Sequence, residues 1–237
     1  SVAGGICYFL WQKGYNGPCK VVNFKNNEFS EPVDRTLSEY STFVRDNEYI
    51  KIIRKIQKLN EPTMEKEVFS RNSFTLPSNE RGHKVKVPGD CKLLSSEGYS
   101  FINRDAFTDR ENILNKYKVI ITYAMSGGYT PGAAGKHQII SSLESLPPQS
   151  VCTETYLVLG AFEKENEAKN MVAYVKTKFF RFLLLQALSS IHITKSVFQF
   201  VPQQDLNKAW TDELLYKKYE LTSDEISCIE SVIRDIE

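Results

Sequence analysis

Apolar residues recur along this chain with two different periods, and the change from one to the other predicts where strand gives way to helix. Residues 2–11 and 19–24 are dense apolar runs on either side of the turn Gly14-Tyr15-Asn16-Gly17-Pro18, and are expected to pair as a hairpin. From 47 to 59 the spacing changes. Tyr49, Ile52, Ile53 and Ile56 recur at i, i+3, i+4 and i+7, the single apolar face of a helix, with Lys51, Arg54, Lys55 and Lys58 elsewhere on it. Between 60 and 107, short runs such as VFSRNSF, HKVKV and CKLLSS read as strands punctuated by Gly82, Pro88-Gly89 and Gly98. A short helix at 109–117 and a strong strand at 118–124 (KVIITYA) follow. The next segment, MSGGYTPGAAGKHQ, holds four glycines and a proline and predicts an exposed loop. Strands are expected at 137–142 and 152–160.

The character then becomes helical. Residues 163–175 form an amphipathic pattern with acids at its start. Thr177 is placed to cap KFFRFLLLQAL, whose apolar residues cover almost every face and predict deep burial. SVFQFV reads as a strand ending at Pro202. Thr211 caps WTDELLYKKY, with Asp212 and Glu213 in its first turn and Lys217 and Lys218 in its last, as the helix dipole favours. Thr222 and Glu225 make a T-x-x-E capping box for the final helix. The expected fold class is α+β: a twisted, mainly antiparallel sheet with helices packed at the carboxy end. The expected divisions are 1–46, 47–160 and 161–237.

Composition narrows the class without naming an activity. At 237 residues the chain can build one large core or two small ones. No apolar run approaches the roughly 20 residues of a membrane span, so no membrane partner is expected. Five cysteines are scattered without a CxxC, and three histidines lack ligand spacing, which suggests reduced thiols in a cytoplasm rather than disulfides or zinc. Charge is uneven. Residues 211–237 carry 3 Lys/Arg against 8 Asp/Glu, whereas residues 51–92 carry 10 basic against 5 acidic side chains. The basic stretch suits a polyanion-facing surface.

Catalytic motifs fail on inspection. A phosphate loop ending at Gly135-Lys136 would need glycine where Thr130 stands and a hydroxyl where His137 stands. Asp90-Cys91-Lys92 has the D-x-K spacing of a metal-dependent nuclease, but no Pro-Asp pair precedes it. No G-x-S-x-G elbow or cysteine nucleophile signature is present.

The carboxy-terminal third is more specific than any of these. VCTETYLVLGAF, EAKNMVAYVKTKFFRFLL, HITKSVFQFVPQQDL and WTDELLYKKYELTSDEISCIESVI together resemble the terminal region of adenine-specific (N6) DNA methyltransferases of restriction-modification systems, including fused type II enzymes. The opening GGICYFLWQKGYNG looks like the closing strands of such a catalytic domain, and VFSRNSF and NKYKVIITYAMSGG look like its target-recognition region. The [DNS]-P-P-[YFW] loop and the glycine-rich AdoMet turn of that family have no counterpart. Leu146-Pro147-Pro148-Gln149 is the sole Pro-Pro, and it lacks both the polar and the aromatic residue. The resemblance therefore implies the half of an enzyme that reads double-stranded DNA. The methyltransferase domain would precede Ser1, residues 1–46 would be its remnant and a linker, and AdoMet would belong to the parent and not to this chain.

Recognition needs cations on phosphates and paired donors and acceptors on base edges. Lys51, Arg54, Lys55, Lys58, Lys84, Lys86 and Lys92 are the phosphate candidates. Arg71, Asn72 and Ser73, then Ser126, Gly127, Gly128, Tyr129, Thr130, Lys136 and His137, then His192 and Lys195, are the candidates for contact with bases or groove. Two other classes stand beside this one: a nuclease fragment using Asp90 and Lys92, and a docking domain built on the acidic final helices.

Overall fold

A computed structural model describes residues 7–25, 27–125 and 135–236. The chain divides into two compact units, residues 1–47 and 48–237. In the first, β1 (Cys19–Val21) pairs antiparallel with β4 (Val33–Arg35), and β2 (Phe24–Lys25) with β3 (Glu28–Phe29). The expected hairpin between 2–11 and 19–24 is not formed by the described residues. Tyr8 to Trp11 have no regular structure, and β1 takes its hydrogen bonds from β4 instead. Asn47 closes this unit, its Nδ2 donating to Val21 O and its N–H to Asn23 Oδ1.

The second unit begins with the expected helix, α1 (Asn47–Gln57), whose Ile50, Ile52, Ile53 and Ile56 are buried. Two three-stranded sheets follow. One has the order β6 (Gly98–Asn103), β5 (Asp90–Ser95), β9 (Ser150–Cys152); its β5–β6 pair is antiparallel and its β5–β9 pair parallel. The other has the order β10 (Tyr156–Phe162), β7 (Tyr117–Thr122), β8 (Leu143–Leu146) and is antiparallel throughout. Leu93, Leu94, Ile102 and Val151 of the first sheet pack with Ile120, Leu146 and Val158 of the second in one apolar cluster. The other face of β7 meets α2 (Glu165–Lys176). Cover on both faces explains why KVIIT does not alternate.

Lys118, inside that run, is fully buried. Its Nζ donates to the carbonyls of Ile113, Leu114, Lys116 and Pro147 at 3.3, 3.2, 2.6 and 3.3 Å. Burial brings its pKa down to about 8.

The helical part follows the capping signals. Thr177 Oγ1 accepts from Phe180 N at the start of α3 (Lys178–Ala187), Thr211 Oγ1 from Leu214 N in α4 (Asp212–Lys218), and Thr222 and Glu225 form the capping box of α5 (Ser223–Val232). Asp212 accepts from the N–H groups of Lys178 and Phe179 at 3.0 and 2.9 Å, so α4 caps α3. Phe179, Phe180 and Phe182 are buried as expected.

Six local expectations are corrected. VFSRNSF is a set of turns: Asn72 adopts φ 65°, and Ser73 Oγ donates to Ser70 O, which diverts the segment from a ladder. In HKVKV, His83 alone bridges, to Phe101, and the rest protrudes. Asp109 caps the amides of Ile113 and Leu114, with Asn112 at φ 53°, and turns 109–117 away from a helix. Ile139 at φ 70° breaks the expected strand at 137–142, and pairing begins instead at Leu143. SVFQFV is a 3₁₀ turn (Lys195–Phe200) rather than a strand. Its Val197, Phe198 and Phe200 are buried, and Phe198 meets Phe180 edge-on. The expected strand 152–160 is also interrupted, by a turn in which Tyr156 N donates to Thr153 O.

Candidate nucleic-acid interface

Three segments far apart in the sequence meet where β7 ends. Tyr123 N donates to Thr155 O, Ile193 N to Tyr123 O, and Met125 N to Ile191 O, so residues 190–193 extend the sheet beside 123–125. This register sets the His192 imidazole on the Tyr123 ring, centroids 5.0 Å apart and planes 27° from parallel. On Tyr123 also lies the Arg71 guanidinium, 4.4 Å from the ring centroid. Arg71 is carried there by the turn at Asn72, and Glu154 holds it. Arg71 Nε donates to Glu154 O at 3.3 Å, and Nη2 lies 3.6 Å from Glu154 Oε2. Glu154 is fixed in turn, its N–H bonded to Leu76 O and its Oε1 accepting from Ser78 N.

The result is a ladder of planar groups with Arg71 and His192 both reaching solvent; the Arg71 side chain is 47% exposed. Lys195, three residues beyond His192, is exposed. The segment expected to carry Ser126, Gly127, Gly128, Tyr129 and Thr130 begins directly after Met125, but those five residues lie outside the described residues.

A second feature is the protruding loop between His83 and Asp90. Lys84, Val85, Lys86 and Val87 are all exposed. The loop is closed at its base by His83 Nε2 and Asp90 Oδ2 at 2.6 Å, with Val87 N also donating to Asp90 Oδ2 at 2.7 Å. The hydrogen bond with His83 first, then the one from Val87, holds the Asp90 carboxyl below the usual range. Asp90 is therefore the closing group of this loop. Its neighbour Lys92 lies over the Tyr99 ring at 3.7 Å. Among the described residues, no group of three or more His, Cys, Asp or Glu is placed to hold a metal.

The remaining sequence candidates are distributed otherwise. Ser73 is buried with its hydroxyl bonded to Ser70 O, so it shapes the turn and does not face a ligand. Asn72 is half-buried in the same turn, and its Oδ1 is buried without a hydrogen bond among the described residues. Lys136 and His137 are half-buried. The His137 backbone is paired with the final segment, His137 N donating to Val232 O and Arg234 N to His137 O.

Arg181 is wholly structural. It is buried and donates to the carbonyls of Lys176, Thr177, Gln138 and Arg234, the last at 2.6 Å; burial lowers its pKa to about 10. On α1, Lys55 pairs with Glu225 at 2.8 Å and serves the fold. Trp210 and Tyr216 anchor the last helices, through Asp205 O and Glu230 respectively.

Sequence reasoning singled out Arg71 and His192 but missed Tyr123 and Glu154. Neither carries a local motif, and only the pairing of β7 with β10 and with 190–193 brings them together. Comparison of the chain with protein-family models, with curated proteins and with solved structures gives no match.

Proposed function

We propose that this chain is the target-recognition module of an adenine-specific DNA methyltransferase of a restriction-modification system, and that it binds duplex DNA in a sequence-dependent way in the cytoplasm. The observation that carries the reading is the convergence of Arg71, Tyr123 and His192, separated by up to 121 positions, on one solvent-facing ladder beside exposed Lys195. Held planar donors suit base edges, where geometry discriminates, whereas flexible exposed lysines such as Lys84 and Lys86 suit phosphates, where charge suffices. Methyl transfer, AdoMet binding and base extrusion belong in this reading to a separate catalytic domain.

The first unit supports the same assignment from another direction. Tyr8, Phe9, Leu10 and Trp11 are 92%, 86%, 95% and 74% exposed, a run of large apolar side chains that monomeric surfaces rarely present together. Contact with the catalytic domain of the parent enzyme would cover them.

Binding of the chain to a duplex library across a salt series tests the reading. Each phosphate contact contributes a slope of about −0.9 in log affinity against log salt. The double variant Lys84→Ala/Lys86→Ala is expected to flatten the slope by about 2 while keeping the same preferred sequences. Absence of any duplex binding at low salt would sink the proposal.

A further inference from the structure

The guanidinium of Arg71 has two edges that can each make a pair of parallel hydrogen bonds. Glu154 covers one of them, its backbone oxygen on Nε and its carboxylate by Nη2. Among the described residues, neither Nη1 nor the outer N–H of Nη2 on the end-on edge makes a hydrogen bond. The Tyr123 face fixes the plane of the fork, and the Tyr123 ring also stacks with His192.

Two ligands could take such an edge, a phosphate or the O6/N7 pair of guanine. The Glu154 carboxylate decides between them. A neighbouring negative charge weakens the long-range pull of Arg71 on a phosphate, yet leaves the direction of its N–H bonds intact. A phosphate, which a flexible cation also satisfies, depends less on that orientation, whereas a neutral base edge depends on it. Resting on the DNA-recognition reading above, we infer that Arg71 reads a guanine in the major groove of the target through its end-on edge, with Glu154 and Tyr123 as positioning residues. A bidentate Arg–guanine pair discriminates against other bases by roughly 5- to 150-fold.

Selection from a random-sequence duplex library tests this, using the full chain and its R71K, R71A, E154Q and Y123L variants, with thermal unfolding recorded for each. The unaltered chain is expected to select a motif containing an obligatory G·C pair. R71K keeps the positive charge but not the fork, so it should retain overall affinity within about threefold and lose the preference at that pair. E154Q and Y123L should reduce the same preference and leave the salt slope unchanged, a result that general loss of structure would not produce.

An R71K chain that selects the unaltered motif overturns the inference while leaving the recognition reading standing. So does an R71A chain that loses affinity equally for all sequences with a shallower salt slope, because that is the behaviour of a phosphate ligand. An unaltered chain that binds no duplex removes the recognition reading, and this inference with it.

Discussion

Lys118 and Arg181 are both cations set in apolar runs, KVIIT and KFFRFLLL, and both are used in the same way. Each extends among several backbone carbonyls, some of which also accept a backbone N–H, and donates further hydrogen bonds to them, which offset the cost of burying a charge. For Lys118 that expense has a sign that can be measured. Its folded pKa of about 8 lies below the ordinary 10.5, so between these values the unfolded chain holds a proton that the folded chain has released. Stability from this group therefore rises with pH across the interval, by on the order of 3 kcal/mol in full. Lys118→Met should lack that rise. Urea unfolding at pH 7.5 and pH 10 is expected to show the difference between the two proteins growing with pH, and a pH-independent difference would contradict the assignment.

At the scale of elements, caps decide more than propensity does. The three threonine caps and the capping box were legible because they depend on residues three positions apart. The Asp212 cap was not, because it joins the start of α4 to the start of α3 across 33 positions. Asp212→Ala leaves the Lys178 and Phe179 amides without acceptors in a half-buried site. A loss of about 1–3 kcal/mol is expected, read as a lower urea midpoint, and an unchanged midpoint would mean that water replaces the carboxylate.

The misread segments share one cause. VFSRNSF, 109–117 and 137–142 are apolar enough for regular structure, but Asn72, Asn112 and Ile139 take left-handed backbone conformations, and Ser73 and Asp109 bond the local backbone. Periodicity does not register such turns. SVFQFV failed differently: its buried residues face α3, and tertiary contact overrode their β preference.

Across the whole molecule, the charge asymmetry that first suggested a polyanion surface turns out to be partly internal. Of the acids in the last 27 residues, Asp212 caps α3, Glu225 pairs with Lys55, and Glu230 and Asp235 both pair with Lys178. The cations left at the surface for a polyanion include Lys84, Lys86 and Lys195. Among the described residues no helix is long and apolar enough to cross a membrane, and the exposed apolar side chains of 8–11 lie outside any helix. If they are a docking strip, the triple variant Phe9→Ser/Leu10→Ser/Trp11→Ser should keep the thermal midpoint of the chain, because it removes no buried contact. It should also reduce self-association measured by sedimentation. A marked fall in the midpoint would show that those side chains serve the fold.

The sequence by itself determined the α+β class, the buried character of α3, a strong strand at β7, the helix starts at Thr177, Thr211 and Thr222, and Arg71 and His192 as residues of interest. These follow from spacing within a few positions, where a side chain and the backbone it serves are neighbours along the chain. The tertiary structure alone decided that Tyr123 would meet both Arg71 and His192, that Glu154 would cover one edge of the guanidinium, and that Ser73 and Arg181 would face inward. Those outcomes depend on which strands pair and in what register, and a shift of one position would turn Tyr123 to the opposite face.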